Sequence, residues 1–360
     1  MKNTIQFVQT LILLLITAGF AHAQTVHVVN NNTNAPDGGN VYTVLQDAVD
    51  AANAGDIIHV VPSNSNYGST TITKKLSIYG IGFNPDKELP QLSEVLDIIF
   101  EEGEIEGSPS GSRIEGLSIR SVSFRDNLND LTIRNNIIRV EISSHFSSDL
   151  IEELQIVNNV FNKSSSSNPQ IDLSRSTVQK NTVIANNIFS SNTRSIAAEN
   201  FTLIQNNLFL GNGDINTFGI LEDCIVANNI FFGMRPSSNT SRFERNIFNN
   251  NLTVGNDNNS FPINGSNTGS NNLEGINPQF ISLSASSNSW DFNWDPGLQQ
   301  GSPAIGAGSD GTDIGLFGGS LPFNSLYTGG TPLPLIHVLN TNGTIQPGQD
   351  LQINVQARSN

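Results

Sequence analysis

The chain repeats a short pattern of apolar and polar positions. Six segments align without gaps: Leu131 to Ile138, Leu154 to Phe161, Thr182 to Phe189, Thr202 to Phe209, Cys224 to Phe231 and Ser241 to Phe248. Each reads roughly as a small or apolar residue, a variable one, an aliphatic one, another variable one, a pair of asparagines, an aliphatic residue and a Phe. One column holds Ile133, Ile156, Ile184, Ile204, Val226 and Phe243. The column after it holds Arg134, Val157, Ala185, Gln205, Ala227 and Glu244. That alternation is the period-2 signature of a strand with one side turned inward. A further column is Asn136, Asn159, Asn187, Asn207, Asn229 and Asn246, whose members stand 23, 28, 20, 22 and 17 residues apart.

A repeat near 22 residues that varies from copy to copy, without a Leu-rich consensus, is not a leucine-rich repeat. It predicts an all-β fold, a single-stranded right-handed parallel β-helix, in which short strands recur at fixed positions and the loops between them vary in length. Equivalent residues of successive coils then stack about 4.8 Å apart. The asparagine column becomes a ladder of side-chain hydrogen bonds along the axis. Asparagine also accepts the left-handed backbone of a sharp bend between sheets. Two adjacent apolar residues follow each pair. A regular strand cannot point both inward, so one of them faces a turn or a neighbouring loop. Six coils give an elongated face on the order of 30 Å. Cys224 falls in the small or apolar column with Leu131, Leu154, Thr182, Thr202 and Ser241, which predicts a buried, inert thiol.

A bare coil end exposes core and strand edges and needs a cap. Val44 to Ala52 reads as an amphipathic helix with Leu45, Ala48, Val49 and Ala52 on one face and Thr43 as its N-cap. Gly55-Asp56 stops it. Strands are expected at Ile57 to Val61 and Leu76 to Tyr79, and the acidic, Gly/Ser-rich residues 84–112 read as an excursion loop. Residues 1–23 have the plan of a signal peptide: Lys2, an apolar run around Leu11 to Ile16, and Ala21-His22-Ala23 before Gln24. That run is shorter than the roughly 20 residues a spanning helix needs, so export without a membrane anchor is expected. The β-helix is assigned to residues 24–318, a Gly/Pro-rich linker to 319–335, and two short strands to 336–360, too few for an independent domain.

The formal charge is −15, and the 17 basic residues form no run. Duplex binders neutralise phosphates with clustered Lys and Arg, so a nucleic-acid partner is not expected. An anionic polysaccharide would be repelled unless a basic patch or bound calcium compensated. A lone cysteine excludes an intramolecular disulfide and a Cys-based metal site. The expected state is a monomer.

The two ends carry a resemblance. Tyr42-Thr43-Val44-Leu45-Gln46-Asp47-Ala48-Val49 followed by Ala54-Gly55-Asp56-Ile57-Ile58-His59-Val60 resembles the opening of secreted pectate-lyase-like β-helix proteins. Asn277-Pro278-Gln279-Phe280, Asp291-Phe292, Ser302-Pro303-Ala304-Ile305-Gly306-Ala307-Gly308 and Asp313-Ile314-Gly315-Leu316-Phe317-Gly318 resemble the closing coil of the same superfamily. Many members carry Asp where Gly306 stands. The resemblance spans about residues 24–320 and implies the fold; one fold hosts many functions.

The resemblance implies polysaccharide chemistry, since β-helix enzymes commonly act on polysaccharides. The polygalacturonase set (Asn-Thr-Asp, Asp-Asp, His-Gly, Arg-Ile-Lys) is missing, and Arg113-Ile114-Glu115 ends in the wrong residue. A lyase needs a base beside a uronate carboxylate and a cation to stabilise the developing charge. The candidate catalytic residues are Arg242, Arg245 and Lys180; Arg245 stands where the first asparagine of a pair is expected. No His pair has zinc-ligand spacing. Calcium stays a candidate ion, with Asp126 and Asp130 nearby but no Asp-x-Asp-x-Asp-Gly loop. Trp290 and Trp294 flank Asp291 and Asp295 and are candidate substrate-binding residues, as a sugar-stacking pair or as a cap over the coil end. The reading is a secreted β-helix presenting an elongated face to a polysaccharide or cell surface. A polysaccharide lyase with a non-standard site and a structural adhesin-like rod are the alternatives.

Overall fold

The computed structural model describes residues 24–324, except 34, 36–37, 83–90, 104–106, 146–149, 163–168, 175–177, 191, 214, 264 and 284–288, together with the strands Leu335–Thr341 and Ile353–Arg358. The expected signal peptide, and residues 325–334 of the expected linker, lie outside the described residues.

The chain winds into a parallel β-helix. Its first face is a 12-stranded parallel sheet that runs from the edge strand Val41–Tyr42, beside Val26–Val29, to Thr268–Ser270. At strand spacing it extends about 50 Å, longer than six coils allow. The sequence pattern covered only the middle of the helix, where the asparagine pairs recur. A 14-stranded sheet supplies the other two faces. Its early strands, Glu94–Phe100, Ser118–Phe124 and Ile137–Ser144, run through both. Later coils split into a second face (Val160–Asn162, Ile188–Ser190, Leu208–Leu210, Ile230–Phe232, Leu252–Val254) and a third (Ile171–Asp172, Ile196–Ala198, Phe218–Glu222, Phe243–Glu244). Glu94–Phe100 lies inside the expected excursion loop 84–112. Its buried residues are Val95, Ile98 and Phe100, and the irregular step from 95 to 98 hides the period.

The core is built of in-register stacks. Ile114, Ile133, Ile156, Ile184, Ile204, Val226 and Phe248 line the first face. Phe161, Phe189, Phe209 and Phe231 line the second, with ring centroids 4.6, 5.0 and 4.8 Å apart and rings nearly parallel. Thr253 takes the next rung. There Phe261 folds in against Phe231 and Phe248, with centroids 5.9 and 6.1 Å away, and fills the space a phenylalanine would have occupied.

Each asparagine pair turns the corner between these two faces. The first member (Asn135, Asn158, Asn186, Asn206, Asn228, Asn250) is left-handed, with φ between 53 and 58°. The second points inward. Asn136 donates through Nδ2 to Asn159 Oδ1 (3.1 Å), Asn159 to Asn187 (3.1 Å), Asn187 to Asn207 (3.0 Å), Asn207 to Asn229 (3.0 Å), Asn229 to Asn251 (3.0 Å) and Asn251 to Asn272 (3.1 Å). The rung after Asn229 is thus Asn251. Asn246 lies one corner earlier, in the column of Thr202 and Cys224, where its Oδ1 accepts from the Cys224 N–H at 3.0 Å and its Nδ2 donates to Asn267 at 3.1 Å. The segment Ser241 to Phe248 is therefore five residues out of register, because Asn246-Ile247-Phe248 repeats the letters of Asn187-Ile188-Phe189. Its 17-residue spacing marks the slip; Asn229 to Asn251 is 22.

At the amino end the helix Leu45–Ala51 buries Leu45, Ala48 and Val49. Its N-cap is Val44, not Thr43, and has no side-chain cap bond. The helix is held instead by Gln46, whose Oε1 accepts from the Thr70 hydroxyl (2.9 Å) and the Thr71 N–H (2.8 Å). Asp56 ties helix to sheet, accepting from the N–H groups of Thr25 and Asn53, both at 2.8 Å, and lying 3.1 Å from His27 Nε2.

At the other end, residues 304–323 do not form a closing coil. They run back along the asparagine corner as a strap. Asn250 Nδ2 donates to the Ala307 carbonyl (2.9 Å), Asn228 to Ser309 Oγ (3.1 Å), Asn206 to the Gly315 carbonyl (3.2 Å) and Asn186 to those of Leu316 (2.8 Å) and Gly318 (2.9 Å). Beneath lie Val160, Ile188, Leu208, Ile230 and Leu252, clustered with Ala304, Ile314, Leu316 and Phe323. Of the two adjacent apolar residues, the first faces outward under the strap and the second fills the core. Phe323 extends this packing past residue 318, into what composition alone marks as linker. Leu335–Thr341 and Ile353–Arg358 pair antiparallel.

Two outcomes follow. Asn207→Ala leaves the Asn187 N–H and amide without their acceptor and is expected to lower unfolding free energy by about 1–3 kcal/mol in urea titrations. For Asp56, burial alone would raise the carboxyl, but the N–H groups of Thr25 and Asn53 and the His27 ring hold it below its ordinary value. A depressed folded value stabilises above the unfolded carboxylate pKa, near pH 4, and the contribution is lost as pH falls through the folded value. Asp56→Asn should therefore flatten the acid limb of the urea midpoint measured against pH.

Candidate functional site

The strap decides which outer surface stays open. It covers the outward column of the second face, and on the adjoining edge of the first face Val157, Ala185 and Ala227 are buried. Among the described residues, none covers the opposite edge of the first face as the strap does. There Gln155, Val183, Leu203, Ile225, Ile247 and Thr268 stand in register on successive strands. Strand alternation points them outward. Ile225 is 37% and Ile247 40% exposed, while Val183 and Leu203 are half-buried.

Two residues before the first five of these positions the chain turns a second left-handed corner. Its column is Glu153, Asn181, Phe201, Asp223 and Arg245, with φ from 54 to 64°. Asn and Asp adopt this conformation at small cost; a bulky side chain does so rarely. Phe201 has the largest φ of the five, 64°, and is 74% exposed. Its ring gains no burial to offset the strained backbone. Backbone strain kept without a packing return is a pointer to function.

Charges fringe the row. Lys180 Nζ lies 2.7 Å from Glu152. Arg242 Nη2 lies 2.8 Å from Glu199 and 2.7 Å from Glu222. Arg245 donates to both oxygens of Asp223, at 2.8 and 2.9 Å, and is bonded to Glu244. Glu222 and Glu244 are register partners, and like charges side by side in a sheet repel; the guanidinium groups answer that repulsion. The hydrogen bond to Glu222 raises Arg242, and that to Asp223 raises Arg245, so both stay charged. Burial raises Glu199, with Arg242 opposing. Arg245 thus occupies the second corner, after Asp223, rather than the first place of an asparagine pair. Arg242 and Arg245 are neighbours there. Lys180 reaches the same corner three coils before Arg245, just ahead of Asn181, at the end of the small sheet Leu128–Asn129, Leu150–Glu152, Val178–Lys180.

Trp290 is 6% exposed and packs on the flank of the helix, in the cluster under the strap, not over a coil end. Its Nε1–H has no partner among the described residues. Trp294 meets it edge-on at 5.7 Å and is half-buried. Ser289 to Trp294 line an open hollow of about 530 Å³. Of the two tryptophans, Trp294 is the one placed to offer a sugar part of a ring face. Cys224 is buried, and burial pushes its thiol up. Among the described residues no three His, Cys, Asp or Glu side chains are grouped to hold a metal. Asp126 and Asp130 both sit at left-handed turns, and Asp126 accepts from the Glu102 N–H at 3.1 Å.

Reading by columns missed Phe201 and the exposed row. A signal was there: Val183, Leu203 and Ile225 are aliphatic at a position where a solvent-facing strand residue is expected to be polar. The register slip concealed Ile247, the fourth member.

No protein-family profile matches the chain, and no curated protein does. Among solved structures, the crystal structure of pectate lyase Pel9A aligns with 86% of this chain and 98% of its own, at 13% identity and a TM-score of 0.44. A likeness at that level carries nothing about a site, and the fold stands on the strand pairing above.

Arg242→Gln should raise Glu199 further and lower the urea midpoint. A raised carboxylate favours the fold below its unfolded pKa and loses that contribution as pH rises through the folded value. The deficit of Arg242→Gln should therefore grow with pH, and adding Glu199→Gln should recover part of it. Equal deficits at acid and neutral pH would remove Glu199 from the account.

Proposed function

We propose that the chain is an exported polysaccharide-binding β-helix, and that the open edge of the first face, with Phe201 beside it, is the binding surface. Export is read from residues 1–23, and no helix among the described residues is long and apolar enough to cross a membrane. The observation that carries the proposal is Phe201, an exposed aromatic on a left-handed corner next to an exposed aliphatic row. A flat apolar ring next to hydroxyl-accepting carboxylates suits the two sides of a sugar, one of C–H groups and one of hydroxyls. Lyase chemistry has weaker support. Arg242, Arg245 and Lys180 are all ion-paired, and the two arginines are shifted away from the neutral form a base requires.

Phe201→Ala is expected to weaken glycan binding about tenfold, the factor that roughly 1.4 kcal/mol of lost ring stacking represents. Phe201→Asn should do the same while holding or raising the urea midpoint, since Asn relieves the left-handed strain. Binding by the wild type that neither variant changes would remove this face from consideration. A wild type silent across a glycan panel would leave the structural rod.

A further inference from the structure

We infer that the polysaccharide held on this face is uncharged, and that polyuronates are rejected there. This rests on the binding face proposed above and names its ligand class.

Among the described residues beside the row from Gln155 to Ile247, the carboxylates of the corner are Glu152, Glu153, Glu199, Glu222, Asp223 and Glu244, and the cations are Lys180, Arg242 and Arg245. Each of those cations is already held by a carboxylate, and each arginine by two. The corner is net acidic, within a chain of formal charge −15. Asp223 and Arg245 stand two residues before Ile225 and Ile247 in the chain, so a ligand on the row lies inside the screening length of about 8–10 Å. Among the described residues of this corner a polyanion meets repulsion and no unpaired guanidinium or ammonium group. To bind, it would have to bring a bridging cation, and among the described residues no carboxylate trio is placed to hold one. Every side chain that faces outward on the row from Val183 to Ile247 is aliphatic, and Phe201 adds a ring. These groups gain from the C–H faces of neutral sugars without desolvating a charge.

Shape selects a single chain. The row is one side chain wide, between the strap-covered edge and the charged corner. A stable protein partner buries about 800 Å² on each side, which a strip of that width does not supply, whereas a linear polymer lies along it. The in-register repeat gives equivalent contacts at each strand step, about 4.8 Å.

The test measures binding of the full chain to a soluble β-glucan, a mannan and polygalacturonate, each with and without calcium and at low and high salt, for wild type and Phe201→Ala. Urea midpoints confirm that the variant is folded, and sedimentation follows self-association. The expected result is a neutral polysaccharide bound at least tenfold more tightly than polygalacturonate, indifferent to calcium and salt, and weakened about tenfold by Phe201→Ala. Polygalacturonate bound preferentially, or only with calcium, and weakened by Phe201→Ala overturns the ligand class while the face stands. Neutral-glycan binding unaffected by Phe201→Ala overturns the face itself. A dimer in the wild type that Phe201→Ala dissociates, with no glycan bound, makes the occupant a second copy and overturns both.

Discussion

The structure depends on how two adjacent asparagines share a sharp bend. A three-residue strand cannot turn into the next face without a left-handed residue, and the first asparagine supplies it at little steric cost. The second then points into an apolar interior, where an unpaired amide would cost more than any single hydrogen bond returns. Stacking removes that cost. The inward Asn207, for example, accepts on Oδ1 from the N–H and amide of Asn187, and its own amide donates to Asn229 and to the Ile184 carbonyl. Because every rung satisfies the one before it, a coil cannot slip without breaking bonds on both sides. The isoleucine and phenylalanine stacks inherit that register.

The outer member of the pair does separate work. At Asn186, Asn206, Asn228 and Asn250 its amide projects from the corner and bonds to the C-terminal strap, so one dipeptide motif both closes the core and fastens a covering segment. That covering explains why the second face can carry an apolar column on its outer side. It also explains why the first face, covered on one edge only, is where an exposed apolar row survives. The binding surface proposed here is thus a consequence of where the strap lies. Its chemistry is set by the opposite corner, where Asp223, Arg245 and Phe201 occupy equivalent left-handed positions with unlike side chains.

Particular residues show what could be read in advance. Asn136, Asn159, Asn187, Asn207 and Asn229 were legible because identical residues at similar spacing imply stacking, and the interior isoleucines because alternation implies a buried side. Asn246 was not: its local letters fit one corner, while its hydrogen bonds and the pairing of Val226 with Phe248 belong to another. Trp290 was visible as a large aromatic near the end of the coil, but whether it caps, stacks on a ligand or packs on a flank depends on a segment more than a hundred residues from its partner Asn162.

The coil was legible along the chain: strand length, the bend, the inward column and the ladder are all local or periodic properties, repeated often enough to be read from the letters alone. The path of residues 304–323, the register of the last coils and the exposure of Phe201 emerge in the folded molecule alone. Those are set by non-local hydrogen bonds and by competition for the same apolar surface, which no local pattern along the chain encodes.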